Sequence, residues 1–162
     1  MSKRLLKTAA VALALAGTLA FRPAMAQDAG EAAYRDMQQT LGVVPGFFKQ
    51  FPAAGIAGAW QEFKTVQLNP NTELSGKVKE LIGLAVAAQV PCVYCIYAHT
   101  AAAKANGATD GEIREAVAMA AITRHWSTVL NGAQVDLATF KSDFDTVLRI
   151  AGERAKTTAA AK

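Results

Sequence analysis

No segment of the 162-residue chain alternates apolar and polar residues as a half-buried strand requires, and no segment repeats. What remains is an all-α fold. Aromatic residues are scarce, at 7 %, while apolar residues reach 52 % and alanine dominates them. Alanine has the best helix propensity and lets helix axes approach closely, so the composition favours tightly packed helices. No apolar run is long enough to cross a bilayer, which takes roughly 20 residues. The best candidate, residues 8–21, stops at Arg22 and Pro23. Cysteine is limited to two residues, too few for a disulfide framework of the kind that staples small secreted domains.

That short apolar run has another reading. Lys3, Arg4 and Lys7 precede it, and Ala24-Met25-Ala26 follows with small residues at the positions a signal peptidase reads. Residues 1–26 are therefore expected to be a signal peptide, cleaved after Ala26 to leave a periplasmic or secreted protein. No twin arginine precedes the run, and no cysteine near the cleavage point could accept a lipid, so no membrane anchor is expected after cleavage. Four of the 17 Lys and Arg residues (Lys3, Arg4, Lys7, Arg22) lie in this segment, and without them basic residues equal the 13 Asp and Glu. The formal charge of +4 thus belongs to the targeting segment. It does not point to nucleic acid or an anionic membrane as a partner.

The mature chain is long enough for one domain, expected over residues 27–155, with a low-complexity flexible tail at 156–162. A first helix is expected over 27–41, ended by the turn Gly42-Val43-Val44-Pro45-Gly46. Phe47, Phe48 and Phe51 form an apolar cluster. Pro52 can open a second helix running to Leu68, with Trp60 and Phe63 facing inward, before the break Asn69-Pro70-Asn71-Thr72. The third helix is expected over 73–89, with Leu74, Val78, Leu81, Ile82, Ala85 and Ala88 on its core face. Val90-Pro91 reverses the chain into a helix over 92–105, placed to begin just after Pro91 and ended by Asn106-Gly107. Thr109 and Glu112 are spaced as a capping box for a helix over 110–130. A last helix follows Asn131-Gly132 and is expected to reach Gly152.

The chemistry gathers at the start of the 92–105 helix. Cys92 and Cys95 are three residues apart, so both thiols share one face and lie within disulfide reach. The unpaired N–H groups and positive dipole end of a helix favour thiolate over thiol. A structural disulfide gains most by closing a long loop, and this one would close almost none. The spacing favours redox chemistry, with metal binding and an inert bridge level with each other behind it. His99 lies one turn beyond Cys95 and can serve as a base for the thiol. Glu80 and His99 are equidistant from the chain reversal, which sets them level across a helical hairpin. Glu80 otherwise reads as an exposed residue pairing with Lys77. Zinc would need four ligands, and Cys92, Cys95, His99 and Glu80 could form the set, although Glu is uncommon in structural sites. A c-type haem is excluded because Ile96, not His, follows Cys95. A thioredoxin fold is excluded because no strand precedes Cys92. His125, between Arg124 and Trp126, has no partner visible in the sequence and is expected at the surface or an interface.

The pattern Glu80-x11-Cys92-x2-Cys95-x3-His99 resembles the alkyl hydroperoxidase D branch of the carboxymuconolactone decarboxylase family. The likeness runs from about Pro52 to Gln134 and includes residues 101–108 and the helix start at Asp110-Gly111-Glu112. It implies an all-helical fold and assembly as a homo-oligomer, a trimer or hexamer. It also implies reduction of hydroperoxides, or of a partner's disulfide, by a cysteine pair cycling between dithiol and disulfide. Cys95 would be the nucleophile, Cys92 its disulfide partner, and Glu80 with His99 a proton relay. An external dithiol or thioredoxin-like reductant would regenerate the pair, and no cofactor is called for. In the resembling branch a His stands before the second cysteine, whereas this chain has Tyr94. A phenol with a pKa near about 10 cannot take that protonation role at neutral pH.

Overall fold

The computed structural model describes residues 22–160 and contains six α-helices and no strand among them. Most of the expected export segment, residues 1–21, lies outside the described residues. Two compact units divide the chain, one ending at Gly76 and the other beginning at Lys77. None of the described helices is long and apolar enough to cross a membrane.

In the first unit, α1 (Arg22–Leu41) begins five residues earlier than expected. It ends where Gly42 takes φ +78°, a left-handed turn that glycine enters without steric cost, and the Gly42 N–H bonds back to the Gln38 carbonyl. A 3-10 turn over Gly46–Gln50 follows, then α2 (Ile56–Glu62). Pro52 does not open α2. Instead it begins a turn closed by the Gly55 N–H on the Pro52 carbonyl, and the helix starts after it. Nor does α2 run on to Leu68 as an α-helix. The segment Phe63–Gln67 widens into a π turn, closed by the Leu68 N–H on the Phe63 carbonyl.

Ala33 and Met37 of α1, one turn apart, pack on Ile56 and Trp60 of α2 to form the core of this unit. Phe48 meets both Trp60 and Phe63 edge-on. Of the expected phenylalanine cluster only Phe48 packs against this core, while Phe47 and Phe51 stay exposed. The Asp36 carboxylate accepts hydrogen bonds from the Trp60 indole (2.6 Å) and the Lys64 ammonium (2.8 Å). Both donors hold its carboxyl below the usual range, Lys64 most strongly.

The second unit holds α3 (Gly76–Gln89), α4 (Val93–Ala105), α5 (Asp110–Gly132) and α6 (Leu137–Ala160). The expected core face of α3 is corrected by the structure. Leu74, Val78 and Ile82 are exposed, and the buried side chains are Glu80, Leu84 and Ala87. Apolar residues stand on more than one side of this helix, so periodicity alone cannot say which stripe the chain covers.

Both ends of α3 are tied to α5. Near its start, Lys77 pairs with Glu112 at 2.7 Å, and at its end the Gln89 side chain donates to the Ala120 carbonyl and accepts from Arg124. Thr109 and Glu112 form the anticipated capping box, each side chain taking the other's backbone N–H. The last helix passes Gly152 and continues to Ala160, so residues 156–160 extend α6. Asp136 caps its start by accepting from the Thr139 N–H, the main reason its carboxyl is held low.

Candidate active site

The reversal between α3 and α4 brings the cysteine-bearing turn to the end of α3. The Cys92 N–H bonds to the Ala87 carbonyl, and the Ile96 N–H to the Cys92 carbonyl closes the first turn of α4. Cys92 is the N-cap of α4 rather than its first residue. Its extended backbone (φ −94°, ψ 99°) turns the sulfur back over the helix end, where it accepts the Cys95 N–H at 3.2 Å. The two cysteines are joined as a disulfide with Cα atoms 5.3 Å apart. In this disulfide the Cys92 sulfur has both that N–H and the positive end of a 13-residue helix beside it. Both favour the thiolate.

Glu80 is 5 % exposed and is the buried charged residue among those described. Its Oε2 accepts from Nδ1 of His99 at 2.7 Å across the hairpin. Lys77, its alternative partner on sequence grounds, pairs with Glu112 instead. The Glu80 side chain is 6 % exposed and that of His99 22 %, so this hydrogen bond is largely shielded from solvent. An imidazole whose Nδ1–H is given to a carboxylate has Nε2 as its acceptor edge, the tautomer a general base needs.

Tyr94 and Tyr97 lie outermost, 84 % and 78 % exposed. Tyr94 therefore sits on the surface and not between the sulfurs and the Glu80–His99 pair. His125 is exposed, edge-on to Trp126, and stands apart from the described hydrogen bonds of the site. The four residues considered for zinc do not converge as metal ligands. Among the described residues no group of three or more His, Cys, Asp and Glu could hold a metal.

The Gln89–Arg124 clamp escaped the sequence reading. Arg124 donates to the Gln89 side chain at 2.6 Å and to its backbone carbonyl at 3.4 Å, securing the last turn of α3 just before the cysteines. Thirty-five positions separate the two residues, and no local pattern links them.

A family model described as the carboxymuconolactone decarboxylase family matches residues 54–137. The chain belongs to this family. Its fold is also similar to a solved structure described as the alkylhydroperoxidase AhpD core from Rhodospirillum rubrum. The match has a TM-score of 0.59 and 26 % identity, over 68 % of this chain and 83 % of that one. This likeness supports the alkyl hydroperoxidase D-like branch. No curated protein sequence matches the chain.

Proposed function

We propose that this family member is a thiol-dependent peroxidase, an oxidoreductase that reduces hydroperoxides through the Cys92/Cys95 pair. The observation that carries the reading is the buried Glu80–His99 hydrogen bond within the same hairpin that holds the disulfide at the α4 N-terminus. His99 takes the proton of Cys95, with Glu80 orienting its ring and stabilising the imidazolium. The Cys95 thiolate attacks the terminal peroxide oxygen: an S–O bond forms, the O–O bond breaks, and the departing alkoxide is protonated to the alcohol. Cys92 then attacks the sulfenic sulfur and expels water, leaving the disulfide. An external dithiol or thioredoxin-like reductant returns two electrons by thiol–disulfide exchange. Apart from that reductant, the proposed cycle uses only side chains of this chain and calls for no cofactor.

A second reading, disulfide exchange with a protein partner and no peroxide step, is supported by the exposed Val93, Tyr94 and Tyr97 beside the disulfide. Such a surface suits docking of another protein's thiol. Self-association as a trimer or hexamer belongs to the same proposal, supported by the exposed apolar residues Val78, Ile82 and Val86 of α3 and Phe140, Phe144 and Val147 of α6. So does export with cleavage after Ala26, which the intact mass of the native protein tests.

The deciding experiment follows peroxide consumption by the pre-reduced protein in single turnover. Loss of one peroxide with loss of two thiols is expected. Unchanged peroxide together with rapid oxidation by a disulfide-bearing protein would select the second reading.

A further inference from the structure

Gly83 lies in the middle of α3, one turn after Glu80, in a helix where its neighbours include Ala85, Ala87 and Ala88. Helix propensity would favour alanine there too. The reason for glycine is space. A Cβ at Gly83 would fall 2.5 Å from Cε1, 2.6 Å from Nδ1 and 2.7 Å from Nε2 of His99. Carbon contacts normally settle at about 3.5–4.0 Å, so ring and methyl cannot coexist in this arrangement. Three nearly equal separations place the missing Cβ over the face of the imidazole. An approach along the Cε1–H bond would leave both nitrogens much farther off than the carbon.

We infer that Gly83 is a positioning residue for the Glu80–His99 pair. By carrying no side chain, it lets the imidazole lie flat on the backbone of α3 with Nδ1 delivered to Glu80. The ring plane is then held by a surface and its Nδ1 edge by a carboxylate from the same helix. The opposite nitrogen, Nε2, is left for the thiol. Gly58, also within a helix, meets nothing within 4 Å and carries no such role. The inference rests on the proposed function for its chemical meaning, but the placement of the ring can be tested separately.

The test compares Gly83→Ala, Glu80→Gln and Gly58→Ala in the full chain by two measurements. One is the NMR resonance of the hydrogen-bonded His99 Nδ1–H. The other is the rate of thiol alkylation of the reduced protein across pH. The atom that a new Cβ strikes belongs to a side chain that can swing aside, so Gly83→Ala is expected to fold with undiminished helicity. It should lose the Nδ1–H resonance and react about tenfold more slowly near neutral pH, one unit of protonation equilibrium. Gly58→Ala should match the parent in both.

If Gly83→Ala keeps the parent's resonance and profile while Glu80→Gln shifts the profile, the positioning role is overturned and the site reading stands. If Gly83→Ala loses the resonance while Glu80→Gln leaves the profile unmoved, the positioning role holds and the relay in the proposed function fails. Should Gly83→Ala fail to fold, His99→Ala added to it removes the ring. Recovery of the fold supports the inference, and persistent unfolding refutes it.

Discussion

Replacing Glu80 by Gln tests the site most directly, because it preserves volume and a carbonyl oxygen for His99 while removing the charge. The Nδ1–H to Oε2 bond, 2.7 Å in the parent, can re-form as a neutral one. Hydrogen bonds to charged groups contribute about 1.5–3 kcal/mol and neutral ones about 0.5–1.5 kcal/mol, so the change costs the imidazolium about 1–1.5 kcal/mol. That corresponds to about a tenfold loss in the protonated imidazole paired with a thiolate, or about one pH unit. Because Glu80 is 5 % exposed, water and salt screen little of this difference. General-base assistance as a whole is worth about 10²- to 10⁴-fold, and a residue acting through His99 should forfeit only the lower part of it.

The assay is iodoacetamide alkylation of the reduced protein from acid to alkaline pH, beside peroxide turnover. The alkylation midpoint should rise by about one unit and turnover at neutral pH should fall at least about tenfold. Helicity should be retained. Adding Glu80→Gln to His99→Ala should cost nothing further, since the carboxylate acts through the ring. An unmoved midpoint with turnover within about twofold of the parent would refute the relay and leave the buried pair a packing feature.

Three further outcomes are expected. Cys92→Ser should trap a single oxidation as sulfenic acid on Cys95, and Cys95→Ser should trap none; the reverse labelling would move the attack to Cys92, whose sulfur caps α4. Met37 is fully buried, so Met37→Ala should destabilise the protein by about 2–5 kcal/mol in a denaturant titration followed by tryptophan fluorescence, and a loss below about 1 kcal/mol would contradict the core assigned to the first unit. The Asp36 carboxyl is depressed by Lys64 and then Trp60, so its stabilisation is complete above the unfolded pKa of about 3.9 and is lost as pH falls through the lower folded value. Asp36→Asn should remove that acid-side dependence, seen as a flatter pH profile of stability; an identical slope in both proteins would show that the carboxylate contributes nothing.

Local signals in the chain determined the helical elements and the chemistry they carry. Thr109 and Glu112 could be paired from spacing alone because a capping box closes within one turn. Cys92 and Cys95 could be paired for the same reason, and a short reversal between Gln89 and Val93 makes the level of Glu80 against His99 a matter of counting. Tertiary structure decided what counting cannot reach. Several sides of α3 are apolar, and only the packing of the second unit selected the Glu80, Leu84 and Ala87 stripe over Val78 and Ile82. Pro52 and Phe63 looked like parts of one helix, yet the turn ahead of Ile56 and the π turn after Glu62 depart from the regular helix that the pattern implied. Arg124 found Gln89, and Gly83 found the face of His99, through the approach of separate helices. Such contacts depend on where whole elements dock, a property of the summed burial of many side chains, and no short stretch of sequence encodes it.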